Sequence, residues 1–341
     1  MRPYCARKFL YGDKMTFTHK LGRSGIEVSA LGMGCWAIGG PIWEKGTPHG
    51  WGEVDDNESI RALHRAMELG VNFFDTANLY GAGHSEKVLG HAFAGRRKDV
   101  VIATKFNAVF DEQARELLGS DTTPEGIRKA CEESLRRLDT DYIDLYQFHD
   151  NGFPVDKAEP VRDTLEELVS EGKIRAYGWS TDFADRAEFF AQGNHCASIQ
   201  LQLNVLDNNT EVIAVCEKYN LAAINRGPLA MGLLTGKYSA STAPSADDVR
   251  GVNSPSWMKY FKDGKPNPEW LKMMEAVREI LQSGGRTLAQ GALAWLWARS
   301  EQTLPIPGFR TVAQVEENCG AMKFGALTAE QMNEIETLLK R

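Results

Sequence analysis

Residues 100–105 read VVIATK, residues 123–138 read TPEGIRKACEESLRRL, and residues 142–149 read YIDLYQFH. Two apolar, β-rich runs flank a segment in which Ile127, Cys131, Leu135 and Leu138 recur at helical spacing. Thr123 followed by Pro124 opens that helix. The stretch is therefore a strand–helix–strand unit, and a helical crossover is what two parallel strands require.

The same unit repeats outward in both directions. Runs at 31–34, 71–75, 100–104, 142–148, 174–178, 198–201, 221–225 and 303–306 read as eight strands. Between them, Asn57 caps IRALHRAMELG, with Ile60, Leu63, Met67 and Leu69 roughly on one face and Gly70 as the stop. A further helix over 164–170 ends before Gly172. Eight units of this kind predict an α/β fold, a closed (β/α)8 TIM barrel, with an open doubly wound sheet as the alternative. Residues 16–30, around Gly22 and Gly25, read as an N-terminal β-hairpin closing the barrel floor. Residues 239–267, rich in Ser, Ala, Pro and Gly, form a long loop or lid between strands 7 and 8. Residues 1–15 read as a disordered tail, with Met15 as an alternative start, and residues 16–341 as a single domain.

Composition bounds the function. The chain has 341 residues, 43% hydrophobic, and a net charge of −7 with both signs mixed along it. No basic stripe speaks for nucleic acid, and no apolar stretch approaches the roughly 20 residues that span a bilayer. The N-terminus lacks the apolar core of a secretory signal. Six scattered cysteines without CxxC spacing read as reduced thiols, which places the protein in the cytoplasm. HExxH, clustered Cys and paired His are all missing, so no metal is expected. The oligomeric state is not legible.

Four polar residues lie at or just beyond strand ends, where a parallel barrel carries its chemistry. They are Asp75 and Tyr80 in DTANLYG, Lys105 in VVIATK, and His149 in YIDLYQFH. Singly, each has an ordinary explanation: a helix cap, a packing ring, a surface lysine, a core histidine. Together they make a site that protonates a carbonyl while hydride attacks it. A neighbouring ammonium favours a phenolate, so Lys105 would make Tyr80 a better acid. Asp75 would hold Lys105 charged, and His149 would donate to the substrate oxygen. None of the four supplies hydride, so a cofactor must.

These motifs resemble the aldo-keto reductase superfamily, and the likeness runs from about Leu21 to the C-terminus. It includes EELVSEGKIRAYGWS, QLQLN, GPLAMGLLTGKY and PGFRTVAQVEENCGA. The resemblance implies NADPH-dependent, reversible reduction of an aldehyde or ketone, with NADH as the alternative cofactor. It implies that Ser180, Thr181 and Gln200 hold the nicotinamide carboxamide, Thr181 standing where asparagine is usual. Arg226 takes the place of a stacking aromatic. Gly227, Leu229, Gly232, Leu234 and Lys237 would line the pyrophosphate. Gly308, Arg310 and Gln314 would face the adenosine 2′-phosphate at a helix beginning near Thr311, with Glu317 and Asn318 by the adenine. Gly34 and Trp36 complete the cofactor set, and Trp36 also lines the substrate pocket. Trp43, Trp51, Phe106, Phe110, Phe153 and Trp257 fall in strand-end loops and give that pocket apolar walls. Two other functions compete: a cofactor-sensing partner like the potassium-channel β subunits, and a metal-dependent barrel hydrolase.

Overall fold

The computed structural model describes residues 8–11 and 14–341. Its main sheet has eight parallel strands: β1 (Gly32–Gly34), β2 (Phe73–Asp75), β3 (Val101–Phe106), β4 (Ile143–Phe148), β5 (Ile174–Ser180), β6 (Cys196–Gln202), β7 (Ala222–Arg226) and β8 (Thr303–Pro305). They are hydrogen-bonded in sequence order from β1 to β8. A parallel bridge between Gly34 and Gly308, with Gly34 N–H donating to the Pro307 carbonyl at 3.0 Å, joins the two ends. This is the expected barrel, and every strand read from the sequence is present.

Around the sheet lie α1 (Asp56–Glu68), α2 (His84–Ala92), α3 (Pro124–Leu138), α4 (Glu159–Ser170), α5 (Ala184–Ala191), α6 (Thr210–Tyr219), α7 (Pro268–Gln282), α8 (Leu288–Arg299), α9 (Val312–Gly320) and α10 (Ala329–Leu339). The cap of α1 is Asp55, not Asn57: its carboxylate accepts the backbone N–H of Asn57 and Glu58. Asp and Asn cap about equally well, so spacing alone did not choose between them. Outward-facing strand residues such as Phe74, Ile102, Phe148 and Trp179 pack against the helices. Burying each such apolar side chain contributes about 1.5–3 kcal/mol.

The floor is the hairpin of Lys14–Lys20 against Glu27–Ser29, paired Thr18 to Ser29 and His19 to Val28. It carries Leu21, Ile26 and Val28 into a second cluster with Phe73, Ala103, Leu145, Ile224 and Leu304, which fills the barrel interior. Gly22 is required there, since a Cβ would fall 2.2 Å from the Ala197 carbonyl oxygen and its φ is +50°. Within the stretch expected as a tail, Lys8–Tyr11 pairs antiparallel with residues 14–17, while residues 1–7 and 12–13 lie outside the described residues.

Two expected loops contain sheet. Residues 106–122 hold a hairpin of Ala108–Asp111 and Glu116–Ser120, which joins Trp43–Glu44 and Thr47–Pro48 in a four-stranded sheet at the rim. Its strands are short and half-buried, so their hydrophobic alternation is faint. Phe106 ends β3 rather than lying in a loop, and its ring is buried against Tyr146 and Phe148. Between β7 and β8, the segment 239–267 carries the small hairpin Phe261–Lys262 with Lys265–Pro266. It is anchored across the mouth: Asp248 bridges Trp51, and Val249 N–H donates to the Gly50 carbonyl at 2.9 Å. Arg250 pairs with Asp248 at 2.7 Å and lies 4.4 Å from the Trp51 ring centre.

Candidate active site

Period-two alternation carries polar residues inward at the upper end of the sheet. Val101, Ala103 and Lys105 share one face of β3, as Leu145 and Gln147 share one face of β4. Strand register then sets Gln147 beside Lys105, and Ser180 beside Gln200.

Lys105 is fully buried, and its ammonium donates to Asp75 Oδ1 at 2.5 Å, to the Thr76 carbonyl at 2.8 Å and to the Tyr80 hydroxyl oxygen at 3.2 Å. Those three acceptors use all of its N–H groups. The His149 ring stands edge-on to Tyr80, with centroids 6.1 Å apart. The four strand-end residues are therefore one cluster. Asp75 Oδ2 accepts two further bonds, from Gln147 Nε2 at 3.0 Å and Gln200 Nε2 at 2.8 Å. Sequence reasoning missed Gln147, although its place two residues before His149 puts it on the same strand face.

Electrostatics decide which groups carry charge. Burial pulls the Lys105 ammonium down, but Asp75 and Tyr80 outweigh it and hold its pKa above the ordinary value. Burial pushes the Tyr80 phenol up, and Lys105 only partly offsets that. The expected gain in acidity is thus a contest that burial wins in the protein alone. The His149 imidazole is driven well below its usual range by burial, then by Lys105 and Arg226, so it is neutral at pH 7. A neutral imidazole has one N–H to donate.

Tyr80 is placed by backbone packing. Gly81, at φ +62°, leaves no room for a side chain: a Cβ would lie 1.7 Å from the Gly39 carbonyl oxygen. Just beyond, Ser85 receives the Thr76 hydroxyl at 2.8 Å and donates to the Cys35 carbonyl at 2.9 Å. Buried Glu86 pairs with Arg137 at 2.7 Å and accepts the Thr104 hydroxyl at 2.5 Å, which ties α2 to α3 and β3. Aromatic rings wall the opening. Trp36 stacks 5.9 Å from Tyr80, meets Trp51 edge-on at 5.2 Å and lies 6.2 Å from Trp257, whose side is 51% exposed.

The residues expected around a cofactor lie on β5–β8 and the loops that follow them. The Ser180 hydroxyl has no hydrogen-bond partner among the described residues. Thr181 is buried and donates its hydroxyl to the Asn151 carbonyl at 3.0 Å. Arg226 is ion-paired to Asp182 and donates to Gln202 Oε1 at 3.2 Å. Gly227, Gly232 and Gly236 have positive φ, as do Ala230 and Met231, so the chain from 227 to 236 is a run of tight turns. Leu229 and Leu234 point into the apolar core, and Lys237 is exposed. Thr311 caps α9, as expected. Arg310 donates to the carbonyls of Trp51 and Glu53, while its own N–H is taken by Gln314 Oε1 at 2.7 Å. Asn318 Nδ2 donates to the Gly308 carbonyl at 3.4 Å, and the Glu317 carbonyl accepts from Gln290. One unforeseen residue joins this end: Glu58 Oε1 accepts the Val312 N–H at 2.9 Å, at the start of α9. Among the described residues, no group of three or more His, Cys, Asp and Glu side chains converges on a point that could hold a metal.

A barrel bearing a lysine–aspartate pair under a tyrosine, with a neutral histidine opposite, is one half of the identification; the sequence profile of the aldo/keto reductase family, which matches residues 30–340, is the other. The chain belongs to that family and is an oxidoreductase of its type. Among its relatives, the uncharacterized oxidoreductase YqkF of Bacillus subtilis (strain 168) is 30% identical over 94% of this chain and 96% of its own length. The NADP(+) aldo-keto reductase yakc of Schizosaccharomyces pombe is 31% identical over 90% of this chain and 86% of its own. Among solved structures, the glycerol dehydrogenase AKR11B4 from Gluconobacter oxydans superposes with a TM-score of 0.77 at 31% identity, covering 95% of both chains. No helix among the described residues is long and apolar enough to cross a membrane.

Proposed function

We propose that the protein reduces an aldehyde or ketone to an alcohol with NADPH, reversibly, and that Tyr80 delivers the proton. The observation that carries this reading is the Lys105 ammonium, which donates to the Tyr80 oxygen and has no N–H left over. Because that oxygen accepts from Lys105, the phenol's own proton is directed away from the lysine. Tyr80 adjoins Trp36 on one side and His149 on the other, so its proton is available to a group lying between those rings. Neutral His149 donates its N–H to the same carbonyl oxygen and fixes its orientation. The phenol need not ionise beforehand. An alkoxide is far more basic than a phenolate, so the proton moves downhill as charge builds on the oxygen.

The chain's donor set fits a dinucleotide. Ser180 Oγ and Gln200 Oε1 sit side by side on β5 and β6 without partners of their own, a donor and an acceptor for a carboxamide. The segment from Gly227 to Gly236 is a run of tight turns in which the Ala230, Gly232, Leu234 and Gly236 N–H groups close on carbonyls of the same segment, which leaves the intervening amides for a phosphate. Arg226 and Arg310 lie along the same rim as cations for the phosphates, Arg226 shared with Asp182 and Arg310 held by the carbonyls of Trp51 and Glu53. When bound, the nicotinamide supplies the hydride. A yeast relative named for NADP(+) supports the choice of cofactor. The five described cysteines are free and buried, which suits the cytoplasm. Absorbance assays of NADPH and NADH oxidation across aldehydes, ketones and oxidised sugars test the reading. Cofactor-dependent turnover of at least one carbonyl is expected; binding of NADPH with no turnover on any of them would refute it.

A further inference from the structure

Asp75 is nearly fully buried and engaged on both oxygens. Oδ1 faces Lys105, and Oδ2 receives one N–H from Gln147 and one from Gln200. Gln200 Nε2 also lies 3.2 Å from Gln147 Oε1. A carboxylate only accepts, so both amides must turn nitrogen toward Asp75. Gln200's second N–H then goes to Gln147 Oε1, and the triangle closes with no freedom to flip either amide. All members are within 1% of complete burial. A hydrogen bond to a charged group in such a place is strong, and leaving its partner unmet is costly.

We propose that Gln147 is a positioning residue for proton delivery, holding Asp75 so that the carboxylate's charge is shared between Lys105 and the two amides. It makes no hydrogen bond to Tyr80, and it acts through Asp75. With both amide bonds present, part of the carboxylate's charge is spent on them, and Lys105 keeps more of its positive field for Tyr80. Without Gln147, Asp75 Oδ2 loses a donor and the carboxylate becomes more basic. It then draws the Lys105 proton more firmly, and the ammonium stabilises a phenolate less. The same triangle leaves Gln200 only its Oε1 for any cofactor amide, so the cofactor side of the site and the proton side share one side chain.

This inference rests on the proposed reductase activity. Gln147→Met keeps length and apolar volume but removes the donor. The expected result is an alkaline limb in the pH profile of kcat/KM for carbonyl reduction that moves up by about one pH unit, with a plateau lowered about tenfold. NADPH affinity, read by quenching of tryptophan fluorescence, should stay within about twofold, because Gln200 keeps its bond to Asp75 and its Oε1 lies outside the triangle. Gln147→Glu is the rescue. A carboxyl facing Asp75 stays protonated near neutrality, since two carboxylates at that distance do not both ionise, and it donates where the amide did. Its plateau at neutral pH should return toward wild type. A Met variant whose limb does not move, whatever its plateau, would overturn the role and leave Gln147 as packing. Wild-type protein that binds NADPH yet reduces no carbonyl would instead overturn the activity, and this role with it.

Discussion

Replacing Lys105 by methionine separates what the ammonium does for the fold from what it does for the reaction. Its nitrogen lies 3.2 Å from the Tyr80 oxygen. At that distance a unit charge acts on a phenolate with about 5 kcal/mol at an effective dielectric of about 20, or about 10⁴ in acid strength. Only part of an acidity change appears in a proton-transfer rate, so kcat/KM should fall about 10²–10³-fold. Stability should suffer too. Asp75 is left as a buried carboxylate facing two amides and no cation, and breaking a buried pair in this way costs about 3–5 kcal/mol. Adding Asp75→Asn removes the stranded charge. The double variant should therefore recover most of the lost stability in urea melts while its turnover stays low. A double variant that regains activity along with stability would refute the reasoning, because it would mean that Lys105 serves only the fold. A single variant within about tenfold of wild-type turnover would refute it equally.

Other expectations follow from the geometry. Gly81→Ala forces a Cβ into the Gly39 carbonyl and disfavours the local φ; kcat/KM should drop at least about tenfold with far-ultraviolet circular dichroism unchanged, since the strain of about 1–3 kcal/mol falls on the Tyr80 turn. Glu58→Gln removes a negative charge from the start of α9, where Glu58 accepts the Val312 N–H and pairs with Arg61 at 2.6 Å. Fluorescence titrations should then show NADPH affinity rising relative to NADH. Acid should destabilise the protein before its carboxylates titrate. His149 and His19 are both kept neutral by burial, while an unfolded imidazole takes a proton near 6.5. The unfolded chain alone binds those protons, so stability falls as pH drops below about 6.5. For His19 the slope ends near pH 4, where the folded ring also charges. Urea midpoints at pH 7 and 5 should differ accordingly, and His19→Gln should shrink the difference.

The barrel was legible because each strand is an apolar run with a helix on either side, and because parallel order follows from those crossovers. Asp75, Lys105 and His149 were legible by position, each being the polar residue that closes such a run. Tyr80 was legible through the motif around it. Gln147 was not, since a glutamine inside YIDLYQFH resembles a polar interruption until register sets it against Asp75. The rim sheet was hidden by its shortness: Glu116 meets Trp43 only after folding brings 73 positions of chain separation together. Nor could composition weigh burial against Lys105 at Tyr80, because both act on one atom and only depth decides. Arg310 was read as waiting for a phosphate, yet the carbonyls of Trp51 and Glu53 already engage it. Those carbonyls belong to a loop that no sequence pattern ties to α9.

Tyr80→Phe removes one oxygen and leaves the ring, its stacking on Trp36 and the Lys105–Asp75 pair in place. Measured side by side, NADPH binding by fluorescence should match wild type while single-turnover reduction of the best carbonyl substrate disappears. A variant that binds NADPH and still reduces at a wild-type rate would contradict the assignment of the proton to this phenol.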